Sequence, residues 1–221
     1  MAHRSNTPYT TIAAVVPCAT GWLVLPGRLQ AVTVVIEAPL VLPSLIDVVD
    51  HRPAFDAVAL GSPIGFPHDS VGGERGCERE VRDLLGWPRR SSIPGVPCEA
   101  SLRASTVGEA HASESWVTSL SFRSFRRWRE VDDELQPYHQ RRVYSAHPEL
   151  SFLLLNGDRP LTTSPHSIEG QDERLALAAA KLPGIDRIIA DANVRGATRR
   201  HLIEAAGLLW TARRIDRKSV V

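Results

Sequence analysis

Three apolar runs crowded near the N-terminus limit what this chain can fold into more than any other feature. Residues 12–16, 22–25 and 32–37 are rich in β-branched and large apolar side chains, and Pro, Gly or Thr turn chemistry cuts each from the next. That pattern predicts a β-meander. Later β-type runs at 57–60 and 143–146 each follow a helical stretch. The expected fold class is therefore α/β, with a mixed central sheet and flanking helices.

The helices are read from apolar spacing and their stop signals. One is expected between Pro43 and Pro53, where Leu45, Ile46, Val48 and Val49 cluster. A second, over 74–85, is closed by Gly86 and Pro88 and carries Glu78 and Arg82 at the four-residue spacing of a surface ion pair. A third, over 121–135, gathers Phe122, Phe125, Trp128 and Val131 on one side as core and stops at Pro137. A short helix at 150–155 ends in an Asn156-Gly157 turn, and longer ones follow at 171–181 and 198–215. The last places Leu202, Ala205, Leu209 and Ala212 inward. Residues 87–100, with four prolines and the Arg89-Arg90-Ser91-Ser92 cluster, and residues 158–170 read as loops. One domain is expected over 11–217, with loose tails at 1–10 and 218–221.

A formal charge of +1 argues against an overall electrostatic grip on nucleic acid. Any basic patch must come from the arginine pairs at 89–90, 126–127, 141–142 and 199–200, which otherwise read as solvated faces. Cys18, Cys77 and Cys98 are odd in number and scattered, against a disulfide framework or a zinc knuckle, and they fit a reducing cytoplasm. No leader pattern occurs, and no apolar run approaches the roughly 20 residues that span a bilayer. A membrane partner is not expected.

Glycine-rich phosphate loops, Gly-x-Gly-x-x-Gly, His-Glu-x-x-His and Gly-x-Ser-x-Gly are all absent, which removes the common nucleotide, zinc-protease and serine-hydrolase readings. Other segments occur together: Cys-Ala-Thr-Gly-Trp-Leu-Val at 18–24, Ser-Pro-Ile-Gly-Phe-Pro at 62–67, and 75–92 with its Arg-Gly-Cys-Glu-Arg-Glu-Val-Arg start and Arg-Arg-Ser-Ser end. Arg129-Glu130-Val131-Asp132 follows, then His147-Pro148-Glu149-Leu150-Ser151-Phe152 with Leu155-Asn156-Gly157, and Trp-Thr-Ala-Arg-Arg-Ile at 210–215. As an ordered set spanning 12–216 they resemble the predicted RNase H-fold nucleases gathered as domain of unknown function 429.

The resemblance implies an RNase H-like fold and phosphodiester hydrolysis by acids that hold two divalent cations. It also implies where those acids belong. At the end of the first strand this chain has Val16, before Pro-Ile-Gly it has Gly61, and two residues before His-Pro-Glu it has Ser145. On the final helix Glu204 stands six residues before Trp210, with His201 where another acid is usual. Only Glu204 keeps a carboxylate at these five positions.

Glu204 and Glu149 are thus the candidate metal ligands, too few to balance the four positive charges of two Mg²⁺ or Mn²⁺ ions. Glu37 and Asp191 are the candidate replacement acids, with solvated or capping roles as the competing reading. His147 is a candidate for binding phosphate or moving a proton with Glu149 orienting it; alternatively Glu149 caps the next turn and His147 bonds a backbone carbonyl. His201 and Glu204, one turn apart, make a possible two-ligand metal site or a surface pair. Arg75, Arg82, Arg89 and Arg90 are candidate phosphate ligands, or satisfy carbonyls in the proline-rich loop. The expected function is an RNase H-like binding module with an eroded active site, partnered by nucleic acid, a nucleotide or a protein. The alternatives are an active nuclease using Mg²⁺ or Mn²⁺ and a metal-independent enzyme working through His147. Nothing in the sequence specifies an oligomeric state.

Overall fold

Strand β1 (Thr10–Cys18) is the axis of the sheet, and its unbroken apolar run is what a strand covered on both faces requires. The computed structural model describes residues 9–31 and 33–216. Of the expected tails, 1–8 and 218–221 lie outside the described residues, and Thr10 already belongs to β1. β1 pairs antiparallel with β2 (Gly21–Gln30), from Thr10 opposite Leu29 to Cys18 opposite Gly21. β2 in turn pairs with β3 (Thr33–Ile36) and with β4 (Leu40–Leu42), a strand too short to show a period in the sequence. On its other flank β1 takes β5 (Ala57–Leu60) in parallel, and β5 takes β6 (Val143–Ser145) in parallel. The order β3-β2-β1-β5-β6 makes the mixed sheet that the apolar runs predict.

The helices, in chain order, are α1 (Leu45–Val49), α2 (Gly76–Leu85), α3 (Glu99–Arg103), α4 (Val107–Ser113) and α5 (Ser119–Glu134). Then come α6 (Pro148–Leu155), α7 (Ile168–Ala179), α8 (Ile185–Asp191) and α9 (Arg199–Asp216). The two-residue period of the strands sorts their side chains between two layers. Ile12, Ala14, Val16, Leu23 and Leu25 pack with Phe152, Ala178 and the Leu202, Ala205, Leu209, Ala212 stripe of α9. Ala13, Val15, Trp22 and Val24 pack on the opposite face against α1 and the Val131 end of α5. Phe125 and Trp128 join Leu102, Ala110 and Val117 in a separate cluster, with Phe122 at its edge.

Several local expectations are corrected. Glu78 and Arg82 do not pair with each other: Glu78 takes Arg75, and Arg82 takes Glu74 and the Ile93 and Pro94 carbonyls. The 87–100 loop contains a 3₁₀ turn at Arg89–Ser92 and ends where α3 begins. A further 3₁₀ turn, Pro137–Arg141, follows α5. α7 starts inside the expected 158–170 loop because the Ser167 hydroxyl accepts the Gly170 N–H at 3.1 Å and caps it.

Candidate functional site

The carboxyl ends of β1, β5 and β6 open on one edge of the sheet, the place where α/β folds gather ligands. α2, the Arg89–Ser92 turn, α5, the start of α6 and α9 close around that edge to leave a cavity of about 930 Å³. All five positions that the resemblance marks for acids, Val16, Gly61, Ser145, His201 and Glu204, line it. His147, Glu149, Arg75 and Arg89 line it too, whereas Arg82 and Arg90 do not.

The floor is hydrocarbon where a metal site needs oxygen. Val16 is buried, and a β-carbon on Gly61 would stand 3.0 Å from Val16 Cγ1 and 3.1 Å from Leu208 Cδ1. The volume that a Gly61 carboxylate would need is already filled. Ser145 turns its hydroxyl to the Ser62 carbonyl at 2.8 Å. Glu37 pairs with Arg28 and Asp191 with Arg187, both outside the cavity, so neither replaces a missing acid.

Both surviving carboxylates are held by arginine. Glu149 receives Arg174 Nε and Nη2 at 2.8 and 2.6 Å, and Arg174 spends its other donors on the Gly170 and Thr163 carbonyls and the Thr163 hydroxyl. Glu149 therefore neither caps α6 nor orients His147. Glu204 accepts Arg200 Nη1 at 2.6 Å, and burial raises its carboxyl above the ordinary value against the pull of that arginine. Among the described residues no three His, Cys, Asp or Glu side chains are grouped to hold a metal ion. This donor set does not fit a Mg²⁺ or Mn²⁺ pair.

The histidines are neutral and engaged. His147 caps α6 itself: Nδ1 accepts the Glu149 N–H at 3.2 Å, which leaves Nε2 protonated to donate to the Ser92 backbone. Burial pushes its pKa down to about 4. His201 Nδ1 accepts the Thr198 N–H at 3.1 Å, and Arg200 Nη2 lies 3.3 Å from Nε2. Burial and the Arg200 charge bring that pKa down to about 4 as well. A divalent ion at His201 would have to displace a guanidinium.

What is left is a cationic cavity. Arg75, Arg89, Arg123, Arg127 and Arg200 line it against Glu78, Glu149 and Glu204. Arg75 is occupied by Glu78 and the Ile64 and Gly65 carbonyls, and Arg127 by Glu130 and the Cys18 carbonyl. The side chains of Arg89 and Arg123 have no hydrogen-bond or ion-pair partner among the described residues, and Arg89 Nε is buried without an acceptor. Arg123, Arg127, Arg174 and Arg200 were not among the sequence candidates. The only signal for two of them was the Arg126-Arg127 and Arg199-Arg200 pairs, one member of which lines the cavity in each case.

Other segments of the ordered set prove architectural. Trp22 Nε1–H and the Leu45 N–H both donate to Glu130 at 2.8 Å, tying β2 and the start of α1 to α5. Arg129 closes on the Leu102 and Ala104 carbonyls at the end of α3. No helix among the described residues is long and apolar enough to cross a membrane. No curated protein and no solved structure matches the chain. Residues 16–221 match the family described as Protein of unknown function (DUF429), and with nearly its whole length so matched the chain belongs to that family.

Proposed function

We propose that this chain is an RNase H-like domain whose strand-end cavity binds a phosphate-bearing ligand, nucleic acid or nucleotide, without a metal. An antiparallel meander extended by two strands parallel to β1 supports the fold assignment. The observation that carries the function is the neutralisation of both surviving carboxylates, Glu149 by Arg174 and Glu204 by Arg200, each at 2.6 Å. Their charges are spent inside the protein, so they cannot repel an anion or compensate divalent ions as free carboxylates would. Arg89, from the 3₁₀ turn, and Arg123, from α5, then offer unspent donors to the cavity, and guanidinium groups form charge-assisted bonds to phosphate oxygens.

Fluorescence anisotropy with labelled DNA and RNA in EDTA, beside cleavage assays with Mg²⁺ and Mn²⁺, tests this reading. Binding that survives EDTA and weakens steeply with salt, without cleavage, is the expected result. Metal-dependent cleavage that disappears in Glu204→Gln would overturn it.

A further inference from the structure

Trp87 has no packing role to explain it. It is 82 % exposed, whereas Trp22 and Trp128 are buried and Trp116 and Trp210 partly so. Leaving an indole in water forgoes one of the largest burial gains a side chain offers. No other ring or cation covers it among the described residues.

Its position in the chain is informative. Trp87 stands in the turn closed by the Arg90 N–H on the Gly86 carbonyl at 2.6 Å, two residues before Arg89. Arg89 is the start of the segment that walls the cavity, and Arg90 beside it is exposed with no side-chain partner among the described residues. An open aromatic and the uncommitted cations are therefore two ends of one short turn. Two residues separate the Cα atoms of Trp87 and Arg89 by at most about 7 Å, so both side chains start from the same short turn.

The geometry points to Trp87 as a stacking platform for a nucleobase of a single-stranded nucleic acid whose backbone phosphates are held by Arg89 and Arg123. This rests on the reading of the cavity as a phosphate site and adds the kind of strand it takes. Bases in a duplex stack on each other and offer no free face, while an unpaired base gives its π-face to an aromatic side chain whatever its sequence. A cavity of about 930 Å³ lies within the small-ligand range of about 300–1,000 Å³, a size for a nucleotide unit rather than for a duplex. A mononucleotide fits inside but has no need of Trp87, which does not line the cavity.

Three probes separate these ligands: a fluorescein-labelled single-stranded oligothymidylate, the same strand annealed to its complement, and thymidine monophosphate, each titrated in EDTA. Trp87→Ala is expected to weaken the single strand about 5- to 100-fold, Trp87→Phe to stay close to wild type, and the monophosphate to bind both variants equally. The single strand should also quench a component of the tryptophan emission that Trp87→Phe lacks. Single-strand affinity unchanged in Trp87→Ala but reduced in Arg89→Ala would overturn the stacking role and leave the phosphate cavity standing. Duplex bound as tightly as single strand would also overturn it. If none of the three probes binds, the cavity reading falls with it.

Discussion

Arg174 and Glu149 meet side-on inside the protein, with two guanidinium nitrogens 2.8 and 2.6 Å from the two carboxylate oxygens and Arg174 only 1 % exposed. The pair joins the start of α6 to α7 behind the cavity wall, and it turns a residue of the His-Pro-Glu segment into a structural strut. Breaking one partner leaves a buried charge alone, so Glu149→Ala is expected to cost about 3–5 kcal/mol in urea unfolding. Glu149→Leu combined with Arg174→Met should cost far less than either change alone. Additive losses in the double variant would count against a strut.

The sequence shows the frame better than the site, for a physical reason. Strands and long helices announce themselves through runs and periods, so β1, β5, β6, α5 and α9 are foreseen within a few residues, while β2 runs on five residues past its expected end at Leu25. α3, α4 and α8 are too short for a period to emerge, and β4 has three residues. Val16, Gly61, Ser145, His201 and Glu204 all line one cavity, because they ride on strand ends and one helix. Charge partners are different: Glu149–Arg174 spans 25 positions, and an arginine within α7 reads in one dimension as a solvated residue. The same blindness suggested Glu78–Arg82, where tertiary folding offered each a better partner.

Filling the cavity floor should be costly. Gly61→Ala places a methyl within about 3 Å of Val16 and Leu208, and the overpacking is expected to cost about 1–3 kcal/mol. In a Val16→Ala background the same change should cost less, because the nearest obstructing methyl is gone. Chemical denaturation of the four proteins reads this coupling directly, and an equal cost in both backgrounds would contradict the contact.

Acid should unfold the protein in a window set by its histidines. His147 and His201 titrate near 4 when folded, below the ordinary value of 6.5, so the unfolded chain takes up protons first as pH falls. Stability is complete above about 6.5 and is lost towards 4, with a slope of about 1.4 kcal/mol per pH unit for the buried His147 ring and a smaller one for the half-buried, more screened His201. Glu204 works in the opposite direction, since its raised carboxyl favours the folded state as it protonates. His147→Asn keeps an acceptor to cap α6 while removing one titrating ring, so it should flatten the slope between pH 6.5 and 4. An unaltered slope would mean that His147 is not held neutral.

The central claim is that uncommitted arginines, not metal ions, make this cavity a phosphate site. Its most direct test is the salt dependence of single-stranded oligonucleotide binding in EDTA, compared between wild type, Arg89→Ala, Arg123→Ala and the double variant. Each substitution is expected to weaken binding and to lower the slope of log affinity against log salt by about 0.7, the value for one phosphate contact on a single strand. Affinity that appears only when Mg²⁺ or Mn²⁺ is added, or slopes that stay unchanged in the double variant, would contradict the account.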